Sequence, residues 1–176
     1  MSGTLTWDHA VADIPESGLS TVRRAAPDEL ELIVRALGLI TCSSLTATYT
    51  ITPTGGGHFR LKGRLEASLE QACVVTLEPV AEQVDETFEV AFWPEDDMPA
   101  PASGEIDLDD EPELEPIVAG QIGVGRVVYE CLAGAIHPFP RKADAALERV
   151  AASPAGSKDG KPESPFAVLA KIKGKD

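Results

Sequence analysis

The stretch QACVVTLEPVAEQV, residues 71–84, places one cysteine just before a proline-containing turn. A thiolate is both a nucleophile and a metal ligand, so Cys73 is the first place to look for chemistry. In a metal-binding knuckle a second cysteine would follow three positions on. That position holds Thr76. Three readings are open: half of a lost metal site, a reactive thiol, or a small buried residue at a strand end. Cys42 and Cys131 read as small buried apolar residues. His9, His58 and His137 lie in separate segments, none with a cysteine at ligand spacing, so no four-ligand zinc set is legible.

Other motifs carry less. GQIGVG, with Gly120, Gly123 and Gly125, has the reverse spacing of a dinucleotide loop and follows an acidic stretch rather than a strand. Close packing of a helix on a sheet explains it better. TGGGH, residues 54–58, lacks the Lys-Ser/Thr of a phosphate loop, and there is no G-x-S-x-G elbow. The acid pairs Asp96/Asp97 and Asp109/Asp110 sit in a polar stretch where nothing would raise a carboxyl pKa toward a working value. No EF-hand spacing is present. The sequence therefore offers no catalytic residue, no metal set and no cofactor.

Basic residues remain. Arg60, Lys62 and Arg64 alternate along one predicted strand, about 7 Å apart, on one face. That is a row able to meet phosphates. The competing reading pairs them across strands with Asp85 and Glu89. Arg141 and Lys142 follow a proline-bracketed turn, and Lys171, Lys173 and Lys175 lie in the tail. Arg60, Lys62, Arg64, Arg141 and Lys142 are the interaction candidates.

Elements must position these groups. Residues 5–11 alternate as a first strand, with Leu5, Trp7, His9 and Val11 on one face, and residues 19–25 as a second. APDELELIVRALGL predicts a helix: Leu30, Ile33, Val34 and Leu37 form its stripe, and Gly38 sits where a left-handed cap belongs. LTATYTIT and FRLKGRLEASLEQ alternate strictly around the loop PTGGGH, and VDETFEVAF follows with the same period. Three such segments imply an antiparallel meander with one wet face. Gly63 interrupts the inward row and predicts a bulge or bend. Residues 94–116 hold five prolines and ten acids and read as irregular, with GEIDLDDEPEL ordering locally against the domain. IVAGQIGVGRVVYECLAGAI predicts a second helix, with Val124, Val127, Val128, Cys131, Leu132 and Ala135 as its stripe. Residues 152–165 are linker-like, and Phe166, Leu169 and Ala170 suggest one or two helical turns.

The totals fit a folded domain with irregular appendages: 176 residues, 5% aromatic and rich in Gly and Pro. Neither a signal-type leader nor a long apolar run is visible, so the protein is read as soluble and cytoplasmic. The net charge of −14 is uneven. Residues 65–125 contain 17 acids and no Lys or Arg, whereas residues 126–176 carry more basic than acidic side chains. Such a middle repels phosphates and attracts basic partners.

Three stretches together resemble a known family. GRLEASLEQACVVTLEPV resembles the central signature of the YceD-like family, the large ribosomal RNA subunit accumulation proteins of bacteria. GEIDLDDEPELEPIVAGQIGVGRVVYECLAGAIHPFPRKADA resembles its second half, and SPFAVLAKIKGKD its terminal motif. The resemblance implies a role in accumulation of large-subunit rRNA without a known catalytic activity. Many members carry C-x-x-C at the central turn and further cysteines after the second helix. Here only Cys73 stands, with HPFPRKADAAL at the later position. The resemblance thus implies that Cys73 is a relic of a family metal site, now packed at a strand end.

The expected fold is α+β: a curved antiparallel β-sheet of about five strands packed by two helices, with a long acidic loop and a flexible C-terminal tail. Residues 1–145 are expected to form one domain, with 94–116 as its acidic loop, and residues 146–176 a linker and short motif. The expected function is a non-enzymatic ribosome-biogenesis factor that binds rRNA, a basic ribosomal protein, or both, with no membrane and no small-molecule substrate. The rivals are an acidic adaptor or chaperone unrelated to ribosomes, and an rRNA-processing enzyme.

Overall fold

Strict alternation of apolar and polar residues produces one long antiparallel hairpin. Strands β3 (Thr41–Gly55) and β4 (His58–Ala72) pair along their whole length. The computed structural model describes residues 5–99, 113–143 and 145. Leu45, Ala47, Tyr49 and Ile51 of β3 and Phe59, Leu61, Leu65, Ala67 and Leu69 of β4 are buried, while the residues between them face out. The expected PTGGGH loop shrinks to a two-residue turn at Gly56–Gly57, and the strands run on through its flanks. Both turn residues have positive φ, 64° and 80°, which glycine adopts without strain.

β5 (Pro79–Pro94) pairs antiparallel with β4 and adds Val84, Val90 and Phe92 to the buried face. β2 (Leu19–Arg24) pairs antiparallel with the other side of β3. The fifth strand differs from expectation. It is β6 (Glu113–Ile117), at the end of the acidic stretch, and it runs parallel to β5. The sheet is therefore mixed, in the order β2-β3-β4-β5-β6. The N-terminal segment leaves this sheet. Only β1 (Asp8–Ala10) is strand there, and it pairs with β7 (Gln121–Gly123) in a separate two-stranded ribbon. Leu5 and Trp7 are buried as expected, and Val11 still packs against the core, but it opens a 3-10 turn rather than continuing the strand.

Gly63 marks no bulge. It lies opposite Tyr49 on one side and Phe88 on the other. A Cβ there would sit 2.8 Å from both Tyr49 Cβ and Phe88 Cε2, so the missing side chain makes room for an aromatic ring. The irregularities of β3 fall instead at Cys42/Ser44 and Pro53/Gly55.

Two helices cover the inner face. α1 (Pro27–Leu37) buries Ile33 and leans Leu30, Val34 and Leu37 on the core. Pro27 opens it, the Ala26 N–H donates to Glu29 Oε2, and Gly38 closes it at φ 65°. α2 (Val124–Ala135) is shorter than the predicted 117–136. Val118–Gly120 turn the chain instead, so that β6, β7 and α2 follow one another. The predicted stripe holds: Val124, Val127, Val128 and Leu132 are buried, and Cys131 and Ala135 partly so. Gly125 packs on backbone of the N-terminal segment, not on the sheet: a Cβ would lie 2.9 Å from Leu5 C and Trp7 N. Among the described residues, no helix is long and apolar enough to cross a membrane. The acids at 105–111, the linker at 152–165, Phe166, Leu169, Ala170 and Lys171, Lys173 and Lys175 lie outside the described residues.

Candidate nucleic-acid interface

With both helices on one face, the other face of the five-stranded sheet stays open. Register and alternation decide what it carries. Along β3 it presents Thr46, Thr48, Thr50, Thr52 and Thr54; along β4, His58, Arg60, Lys62 and Arg64; along β5, Asp85, Thr87, Glu89, Ala91 and Trp93. The row anticipated in the sequence is therefore real as a row. Each of its cations also has a carboxylate partner. Arg60 Nη1 lies 3.5 Å from Glu89 Oε1, and Lys62 Nζ 2.9 Å from Glu89 Oε2. Arg64 forms a bidentate pair with Asp85 and approaches Glu66 at 3.9 Å. The Arg64 guanidinium holds the Asp85 carboxyl below its usual range, mainly through these hydrogen bonds. Such exposed pairs contribute little to stability. Their arrangement matters more: one carboxylate, Glu89, serves both Arg60 and Lys62.

At the hairpin end of the row sits a group the sequence reading missed. The His58 and Trp93 rings stack, with centroids 4.7 Å apart and planes 12° apart. His58 Nε2 meets Asp97 Oδ2 at 3.1 Å. Both rings line a recess of about 560 Å³ together with Thr54, Arg60, Ala91 and Leu114. A second recess, of about 530 Å³, is lined by Thr50, Thr52, Thr54, Arg60 and Lys62. Thr54 and Arg60 border both. Trp93 lies one residue beyond the alternating run VDETFEVAF and drew no reading from the sequence. What brings it to His58 is the cross-strand register, which no local pattern reveals.

The other candidates lie at the opposite end of β4. Cys73 follows its last residue and is wholly buried. The turn 73–78 is stitched to the segment after α2: the Val74 N–H donates to Pro140 O at 2.9 Å, and Lys142 Nζ reaches Glu78 Oε2 at 2.9 Å. Arg141 lines a shallow recess of about 370 Å³ with Val80, Glu82, His137 and Phe139. So Cys73 and the Arg141/Lys142 turn, far apart in sequence, come together, while Arg60–Arg64 stand apart from both. The Cys73 thiol is held down at about 6, chiefly by the Thr76 hydroxyl, then by backbone N–H groups of Lys142, Thr76 and Val75. The Thr76 N–H lies 3.5 Å from Sγ. This shell consists of hydrogen-bond donors around one sulfur. It does not fit a divalent metal ion, which needs several electron-pair donors. Cys42 and Cys131 are ordinary thiols pushed up by burial.

Among the described residues, three carboxylates do converge: Glu113, Glu115 and Glu130, with oxygens within 4.8 Å of one another. Arg126 already answers them, with Nη1 3.0 Å from Glu115 and Nε 2.8 Å from Glu130. Glu115 is mostly buried, and burial raises its pKa although Arg126 opposes the shift.

The family described as Large ribosomal RNA subunit accumulation protein YceD matches the chain over residues 61–173. The chain belongs to the YceD family. The match begins within β4, so it includes Lys62, Arg64, the Cys73 turn, β5, Trp93 and α2, and leaves β1–β3 and α1 outside. No curated protein and no solved structure matches the chain. For this YceD-family protein the family description sets a ribosome-related role, concerned with the large-subunit RNA.

Proposed function

We propose that this YceD-family protein supports accumulation of large-subunit rRNA as a non-enzymatic binding factor, contacting rRNA, a basic ribosomal protein, or both. The observation that carries this reading is the open outer face. Its charged side chains are exposed and ion-paired, spread along strands rather than gathered around a reacting atom. That arrangement suits association: rim-type charges steer encounter and set orientation. Catalysis would call for perturbed groups converging in a sheltered cleft. Arg60, Lys62 and Arg64, and separately Arg141 and Lys142, are the proposed contact residues.

The test is made in cells. Removing the protein should lower large-subunit rRNA relative to small-subunit rRNA, and crosslinking of the tagged protein should recover large-subunit rRNA or a ribosomal protein. An unchanged RNA ratio would overturn the reading. Recovery of protein partners alone, with none ribosomal, would favour an adaptor outside ribosome assembly.

A further inference from the structure

A nucleotide joins a flat aromatic base to an anionic phosphate through a hydroxylated sugar. The hairpin end of the outer face offers matching surfaces in the same order. The first recess is lined by the stacked His58 and Trp93 rings, with Leu114 and Ala91 as apolar walls. The adjoining recess is lined by three threonines, Thr50, Thr52 and Thr54, and by Arg60 and Lys62. Arg60 borders both and stands between the aromatic and the cationic part. The rings are already stacked on each other, so a base entering beside them extends a stack without first ordering loose side chains. Both rings are anchored. His58 is held by Asp97, and Trp93 by its place in β5, opposite Pro116 of β6.

The cations are not saturated by their partners. Arg60 and Lys62 share the single carboxylate of Glu89, so an arriving phosphate competes with half a partner per cation. Arg64, with its own bidentate aspartate, is worse placed to let go. The site is open and strand-borne, so it can admit an unpaired base but not a base held inside a duplex. Base–aromatic stacking combined with a cationic track is the general way single strands are held without sequence reading.

We propose that the paired recesses at the β3–β4 hairpin end bind one unpaired nucleotide of single-stranded RNA, its base stacked against Trp93 and His58 and its phosphate met by Arg60 and Lys62. This deepens the reading given above and rests on it. The test uses the full-length protein with fluorescein-labelled single-stranded oligo(A) and oligo(U) RNA and a duplex of equal length. Anisotropy reads binding, and tryptophan emission reads stacking. Trp7 is almost wholly buried, so quenching on binding reports Trp93. Single strands should bind more tightly than the duplex and quench the emission. Trp93→Ala should weaken binding about tenfold, while Trp93→Phe keeps most of the affinity and loses the quenching. Arg60→Gln should weaken binding and flatten its salt dependence by about one phosphate contact. Arg35→Gln, at an exposed position of α1, should match wild type. If wild type binds RNA but Trp93→Ala and Arg60→Gln behave like Arg35→Gln, this site is wrong and RNA contact stands. If wild type binds no RNA probe, this site and RNA contact both fall, while the cellular rRNA ratio still judges the ribosomal role. Trp93 quenching by a basic peptide, and not by RNA, also overturns the proposal.

Discussion

At the scale of single residues, Cys73 shows how a fold can keep a polar pocket without visible ligand chemistry. Its sulfur is buried, yet it is ringed by donors: the Thr76 hydroxyl first, then main-chain N–H groups of Lys142, Thr76 and Val75. Donors favour the thiolate, so the folded thiol titrates at about 6 against an ordinary value near 9. The sign of the linkage follows. Between those values the unfolded chain holds a proton that the folded chain has released, so stability rises with pH through that window. The contribution is complete above about 9 and is lost as pH falls through about 6. His9, whose pKa is lowered mainly by burial, works in the same direction at lower pH. A difference measurement removes it. Comparing urea midpoints of wild type and Cys73→Ala from mildly acid to mildly alkaline pH, the gap in favour of wild type should widen with pH, and Thr76→Val should shrink that widening. Parallel curves would show that the thiol is neutral when folded. None of this shell could be read from the sequence. Position 76 was legible only as a missing cysteine, whereas its hydroxyl is what most lowers the thiol's pKa, and its N–H meets Sγ at 3.5 Å.

At the scale of elements, the sequence was most informative where one face is wet. Period-2 alternation in β3, β4 and β5 and the capped stripe of α1 survive nearly residue for residue, because burial on one side enforces register. It failed where pairing is non-local. β6 carries two glutamates and a proline among its five residues and gives no strand signal. It is held by parallel pairing with the end of β5, and Arg126 of α2 binds its Glu115. The N-terminal segment alternates well yet pairs with β7, since its Leu5 and Trp7 meet α2 backbone. Glycines in α2 illustrate both outcomes. Glycine normally costs a helix about 1 kcal/mol against alanine. At Gly125 the carbonyl region of Leu5 and the amide of Trp7 occupy the space a methyl would need, and the Gly125 N–H donates to Trp7 O at 3.1 Å. At Gly134 nothing lies within 4 Å. Gly125→Ala should therefore destabilise by about 1–3 kcal/mol, and Gly134→Ala should stabilise by up to about 1 kcal/mol. Thermal or urea unfolding of the two variants checks this. Equal shifts would mean that α2 does not pack on the N-terminal backbone as described.

At the scale of the whole molecule, the question is how a chain of net charge −14 would meet the polyanion proposed as its partner. The partition answers in part. The cations of the outer face precede the acidic third, and counting charges along the sequence shows this without any structure. What counting misses is that the hairpin end of β4 lies beside the strand that closes the acidic stretch: Leu114 of β6 lines the same recess as Arg60 and Trp93. The acidic stretch thereby ends beside the proposed nucleotide site, at β6. Glu105, Asp107, Asp109, Asp110 and Glu111 lie just before it in sequence. Their field opposes an approaching phosphate and favours a basic protein, over distances set by the Debye length, about 10 Å near 0.1 M salt. Replacing these five by Asn or Gln leaves β6 intact and removes five of the fourteen net charges. Affinity for single-stranded RNA should then rise about tenfold at low salt, with the gain fading as salt increases, while affinity for a basic ribosomal peptide should fall over the same range. A gain that persists at high salt would point to direct contact with these residues rather than a long-range field. Unchanged RNA affinity at every salt concentration would show that the acidic stretch does not gate the outer face, and that partner choice is settled by the recesses alone.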